Sequence, residues 1–212
     1  MRLIRIMILG FALSFLSAKV PISKEIETRF LDRSYQDRQG FTLPYRLMVP
    51  GHQAGGKTYP LVLFLHGSDE RGTDNSKQLY VGLHIFADPK KIRENPCFIV
   101  APQCPKGMMW ADADWKSDRH AMKPDPTPAL RASHDLITSL MNELPIDRDR
   151  IYVTGYSMGG FGAWDAAQRW PDLFAAIVPV CGGGDETGAG RIFQIPLWAF
   201  HGARDNIVNV TR

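Results

Sequence analysis

The sequence predicts an α/β domain with a mostly parallel sheet, and three observations carry that expectation. Continuous apolar runs of strand length, residues 59–65 and 96–101, read as strands buried on both faces. A helical recurrence of apolar residues over 127–144 separates such runs. Gly155-Tyr-Ser-Met-Gly159 then follows another apolar run and precedes a small-residue helical pattern, which gives strand, sharp turn, helix. Strands alternating with helices build a parallel sheet with flanking helices.

Taken in order, Arg2 and Arg5 open the chain, the apolar run Ile6 to Leu16 follows, and Ser17-Ala18 offers a cleavage site. Residues 1–18 therefore read as a signal peptide, too short to span a bilayer comfortably. The expectation is a secreted or periplasmic protein with no stable membrane span after cleavage. Residues 19–39 are polar and read as a loose leader segment, with the domain proper over 40–212. Gly40 to Pro50 alternates and reads as an early strand. Gly51 to Thr58 is a Gly-rich turn, and the run from Tyr59 ends in His66-Gly67-Ser68-Asp-Glu-Arg-Gly72. The next strand ends in Pro102-Gln-Cys-Pro105, before a long loop with Trp110 and Trp115. Thr127 is an N-cap with Pro128 at the first helical position, and Pro145 stops that helix. Ile151 to Thr154 leads into the turn at Ser157, and Phe174 to Val180 is a strand ending in Cys181-Gly-Gly-Gly184. Ile195 to Phe200 reads as the last strand, ending in His201-Gly202-Ala-Arg-Asp205.

The 212 residues suit one domain, and 44% hydrophobic with 22% charged residues is an ordinary globular composition. The formal charge is +3, and without residues 1–18 it is 23 basic against 22 acidic residues. That balance, with no basic stripe, excludes a nucleic-acid footprint. Cys97, Cys104 and Cys181 are an odd count. Cys97 and Cys104 bracket one strand, and Cys104 and Cys181 end strands expected about three positions apart, roughly 14 Å. A disulfide needs Cα atoms within about 7 Å, so three free thiols are expected. No Cys-x-x-Cys or histidine cluster points to a metal.

The pattern G-x-S-x-G between a strand and a helix is a nucleophile elbow, whose glycines allow the strained turn that exposes the Ser157 hydroxyl. Functional groups of an open α/β sheet gather at the carboxyl ends of its strands. The N–H groups of Ser68, in the His66-Gly67-Ser68 turn, and of Met158 are the expected oxyanion hole. The His66 imidazole itself reads as structural. Asp205, just past a strand end, is the expected acid of the triad, and Asp185 a weaker candidate. None of the six histidines (52, 66, 84, 120, 134 and 201) lies after Asp205, where chain order would put the base. His134 is expected on the solvent side of its helix and His201 in a structural turn. Trp110, Trp115 and Trp164 are cleft candidates, although buried aromatics more often belong to a core.

Leu65-His-Gly-Ser-Asp-Glu-Arg-Gly72, Ala101-Pro-Gln-Cys-Pro105, Gly155-Tyr-Ser-Met-Gly-Gly-Phe-Gly162 and Trp198-Ala-Phe-His-Gly-Ala-Arg-Asp205 together resemble secreted bacterial α/β-hydrolases of the carboxylesterase type. Polyhydroxybutyrate depolymerases, feruloyl and acetylxylan esterases, dienelactone hydrolases and the prolyl oligopeptidase catalytic domain belong to that group. The resemblance covers about Thr42 to Val208. It implies an α/β-hydrolase fold, Ser157 as nucleophile, Asp205 as acid, and Ser68 and Met158 as oxyanion donors. It also implies a further helix, a last strand and a histidine loop after Asp205. The expectation is thus a C-terminally truncated domain that lacks those parts, and a poor catalyst as it stands. The implied function is cofactor-free hydrolysis of a carboxylic ester, small or polymer-linked, such as a plant-polysaccharide-linked or polyester substrate. A serine peptidase of prolyl oligopeptidase type and a non-catalytic exported binding protein that has lost its base are the alternatives.

Overall fold

The computed structural model describes residues 24–51 and 55–212. The expected signal peptide and the start of the expected leader lie outside the described residues. The elements are α1 (Lys24–Glu27), β1 (Phe30–Gln36), β2 (Thr42–Met48), β3 (Tyr59–Leu65), α2 (Leu83–Phe86), α3 (Pro89–Glu94), β4 (Phe98–Pro102), α4 (Pro128–Glu143), β5 (Ile146–Tyr156), α5 (Met158–Arg169) and β6 (Ala176–Val180). Short 3₁₀ turns cover Ser68–Glu70, Lys77–Leu79 and Glu186–Arg191.

The strands form one sheet in the order β1-β2-β4-β3-β5-β6. β1, β2 and β4 pair antiparallel, and β4, β3, β5 and β6 run parallel. Every residue of β3 and β4 is buried, as two-sided burial of a parallel strand requires. The period of two sorts β3 between two cores. Leu61, Leu63 and Leu65 face the cluster that includes Leu136, Ile137 and Leu140 of α4 and Met158 and Ala163 of α5. Val62 and Phe64 face the opposite cluster, with Leu83 and Phe86 of α2. The Thr127 hydroxyl accepts from the Leu130 N–H at 3.2 Å, and α4 stops two residues before Pro145, as the cap and breaker dictate.

Two segments depart from expectation. Residues 30–36, read as part of a loose leader, form β1, paired with β2 along its whole length from Phe30↔Met48 to Gln36↔Thr42. Only Phe30 of this strand is buried, so an edge strand this polar carries no apolar alternation for a sequence to reveal. Residues 195–200 do not form a continuous strand. They touch β6 through two isolated parallel bridges, Ile177↔Leu197 and Val180↔Phe200. The cause is Pro179. Ile177 N–H donates to Pro196 O at 3.0 Å, Trp198 N–H to Ile177 O at 3.1 Å, Phe200 N–H to Pro179 O at 3.0 Å and Cys181 N–H to Phe200 O at 2.8 Å. The missing rung is the one Pro179 would donate, and proline has no N–H to give.

Candidate active site

The strand order places a switch point between β3 and β5. From β3 the chain crosses one way to β4, and from there it returns past β3 to β5 on the other side. A crevice outside the carboxyl ends of such strands is where open α/β sheets bind ligands. Leu65 pairs with Gly155 at that edge, so the turns that follow, at Ser68 and at Ser157, are spatial neighbours.

Ser157 sits between β5 and α5 with φ 53° and ψ −120°. For a residue with a Cβ this is a strained conformation, costing on the order of 1–3 kcal/mol, and surrounding structure must hold it. Its N–H donates to Val180 O at 2.8 Å, and its carbonyl accepts from Phe161 N–H at 3.1 Å. The hydroxyl caps nothing in the helix it opens and has no hydrogen-bond partner among the described residues. Met158 is the first residue of α5, and first-turn N–H groups have no partner inside a helix. The helix dipole adds partial positive charge at that N–H.

Ser68 opens the 3₁₀ turn just past β3. Its peptide is fixed from the carbonyl side. His66 Nδ1 lies 2.6 Å from Gly67 O and Nε2 lies 2.9 Å from Cys104 N, so Nδ1 carries the proton and donates while Nε2 accepts. Trp110, fully buried, packs edge-on against the His66 ring and donates Nε1–H to His66 O at 3.0 Å. His66 is structural, as its position suggested, and Trp110 belongs to the core that holds this turn.

Burial lowers the His66 pKa from 6.5 to about 4. Because the folded value lies below the unfolded one, the group's contribution is complete above about pH 6.5. It is lost as pH falls towards 4, amounting to about 3 kcal/mol for a shift of this size. Unfolding free energies followed between pH 7 and 4 are expected to fall by about that much more in the wild type than in His66→Gln. Parallel curves would show that His66 stays uncoupled from acid stability.

Asp205 follows the 195–200 segment, which lies beside β6, two strand positions from β5. Its Oδ1 accepts from the N–H groups of Ile207 at 2.9 Å and Val208 at 3.0 Å, and its Oδ2 lies 3.6 Å from His201 Nε2. One carboxylate oxygen thus anchors the loop while the other is held less closely. His201 Nε2 lies 2.8 Å from Val208 O, so the ring closes the same turn. Asp185, the weaker candidate, is 5% exposed. Its Oδ1 takes Thr187 N–H and Oγ–H, and its Oδ2 takes Met122 N–H. Both oxygens are spent on holding loops together.

The five described histidines are engaged elsewhere or lack a contact to Ser157. His134 stacks on Trp170 at 4.2 Å and pairs with Asp135, so it is half-buried rather than on the solvent side. His120 Nδ1 lies 2.6 Å from Arg212. His84 Nδ1 is buried without a partner among the described residues. The three cysteines are free thiols, and burial pushes Cys97 and Cys104 up to about 12. Among the described residues, no group of three or more His, Cys, Asp or Glu could hold a metal ion. Nor is any helix among them long and apolar enough to cross a membrane.

The chain is similar to several known proteins. The sequence model of the prolyl oligopeptidase family matches residues 134–206, which contain the elbow and Asp205. The bifunctional acetylxylan esterase/xylanase XynS20E of Neocallimastix patriciarum is 26% identical over 176 residues, covering 82% of this chain and 23% of its own length. A crystal structure of a thermostable esterase superposes with a TM-score of 0.81 at 42% identity, covering 88% of this chain and 50% of that one. A ferulic acid esterase, 18% identical with a TM-score of 0.52 over 72% of this chain and 60% of that one, shares the fold. The chain has the α/β-hydrolase fold. The chain spans about a quarter of the acetylxylan esterase/xylanase and half of the thermostable esterase.

Proposed function

We propose that the protein hydrolyses carboxylic esters with Ser157 as nucleophile. The observation that carries this reading is the strained Ser157 at the switch point, its hydroxyl uncommitted, beside two backbone donors on the adjoining turns. Ser157 Oγ attacks the ester carbonyl, the N–H groups of Ser68 and Met158 bind the oxyanion, and the alcohol leaves. Water then releases the acid from the acyl-enzyme. The base is a histidine oriented by Asp205. Two strand spacings, about 10 Å, leave room for an imidazole between Ser157 and Asp205. The described residues do not place a histidine there. The likeness to an acetylxylan esterase supports an ester carried on a polysaccharide, and a small ester or a polyester fits the same chemistry.

The prolyl oligopeptidase match keeps a peptidase as the second reading. Turnover of short p-nitrophenyl esters and of prolyl peptides by the full-length protein separates the two. The ester is expected to be favoured, and Asp205→Asn, which keeps the two loop hydrogen bonds, is expected to lower kcat about 10³- to 10⁴-fold. Preference for the peptide would overturn the esterase reading, and an unchanged kcat in Asp205→Asn would remove Asp205 from the triad.

Export is part of the same proposal, resting on Arg2, Arg5 and the apolar run to Leu16. N-terminal sequencing of protein collected outside the cytoplasm is expected to find residues 1–18 absent. An intact Met1 on that protein would refute cleavage.

A further inference from the structure

Tyr156 precedes the proposed nucleophile, yet its side chain works on the neighbouring turn. Its hydroxyl donates to Glu70 Oε2, and its ring and hydroxyl lie against Gly67. Gly67 and Glu70 flank Ser68, so the phenol packs against one end of the turn that presents the Ser68 N–H and is hydrogen-bonded to the other. The fit is close. A Cβ on Gly67 would lie 2.6 Å from Tyr156 Cε2 and 3.0 Å from its hydroxyl, so the glycine is needed for the ring to approach. Glu70 is itself buried at 4% exposure, and its backbone carbonyl accepts from Gln103 Nε2 at 3.0 Å. Gln103, fully buried just past the end of β4, thereby ties the turn to that strand, and its Oε1 accepts from Asn75 N–H at 2.7 Å. The far side of Ser68 is held by Arg71, whose Nε donates to Ser68 O at 2.8 Å.

We propose that Tyr156 and Glu70 are positioning residues that lock the Ser68 N–H and the Met158 N–H into one oxyanion hole. This rests on the esterase reading above. Met158 is two residues from Tyr156 in the elbow, and Ser68 lies inside the turn that Tyr156 spans. The phenol is therefore a cross-link between the two donor-bearing segments. An oxyanion donor is worth roughly 10²- to 10³-fold in kcat, and a displacement near 1 Å elsewhere in a site can cost about 10²-fold. The cross-link stays intact across the neutral range, because burial first and the Glu70 carboxylate second raise the pKa of the phenol, which remains a donor.

The test compares wild type, Tyr156→Phe and Glu70→Gln in the full-length protein. It reads kcat and KM on a soluble ester, amide hydrogen exchange at Gly67 and Ser68, and the melting temperature. Tyr156→Phe removes the hydrogen bond to Glu70 and leaves the ring against Gly67. It is expected to lower kcat about 30-fold with KM within about threefold, and to speed exchange at the two amides about tenfold or more. Glu70→Gln keeps an acceptor for the phenol and is expected to retain kcat within about fivefold. Unchanged kcat and unchanged exchange in Tyr156→Phe would overturn the proposal. So would a kcat loss matched by the unfolded fraction at the assay temperature, or a rise in KM alone. If the wild type hydrolyses no ester, the esterase reading fails, while the exchange measurement still decides whether the phenol holds the turn.

Discussion

Replacing Ser157 with alanine is expected to abolish both ester turnover and labelling by a fluorophosphonate probe, with kcat falling by about 10⁵-fold or more. The size follows from the chemistry. The acyl-enzyme needs an oxygen nucleophile, and no other described hydroxyl shares its place on the strained turn between β5 and α5. What remains without it is the modest catalysis of the oxyanion donors and of binding. The fold should tolerate the change. The structural contributions of Ser157 are backbone bonds, its N–H to Val180 O and its carbonyl to Phe161 N–H, and alanine keeps both. Stability within about 1 kcal/mol of the wild type is therefore expected. Equal labelling of the alanine variant would remove Ser157 from the mechanism. Silence of both proteins towards esters and peptides would favour the binding-protein alternative.

What the sequence revealed and what it hid divide along physical lines. The parallel strands were legible because two-sided burial leaves only apolar residues, as in Tyr59–Leu65. The elbow was legible because its backbone demands glycine at fixed positions around Ser157. Thr127 and Pro128 announced α4 because a cap and a fixed φ are local properties. The hidden parts depend on partners distant in sequence. β1 has a polar, mostly exposed sequence and exists because β2 offers it a full ladder. The interruption of the last strand lies not in residues 195–200 but in Pro179 across from them. Glu70 looks like any charged loop residue until its partner, Tyr156, is seen 86 positions away. A buried glutamate beside the elbow had no signal of its own, although both residues stand inside the motifs that carried the resemblance.

The largest structural effect is expected at Gly159. A Cβ there would stand 1.9 Å from Leu65 O, 2.5 Å from Leu65 C and 2.8 Å from His66 O. All three atoms are backbone at the end of β3, the strand that leads into the Ser68 turn, so no side-chain rotation relieves the clash. The neighbours are as tight. A Cβ on Gly155 would meet Gly159 O at 2.4 Å, and one on Gly160 would meet Val180 O at 2.5 Å. The start of α5 is therefore wedged between the ends of β3 and β6, and the absence of side chains at these glycines is what seats it. Gly159→Ala must push the helix off the sheet or tear Leu65 from its register with Gly155. The expected cost exceeds about 4 kcal/mol, the range reserved for gross clashes in a packed interior. Gly190→Ala is the control, since a Cβ there meets nothing within 4 Å, and it is expected to change stability by no more than about 0.5 kcal/mol. Denaturant melts of the two variants decide the matter. A Gly159→Ala protein as stable as Gly190→Ala would mean that α5 does not sit against Leu65 as described, and the elbow geometry that exposes Ser157 would fall with it.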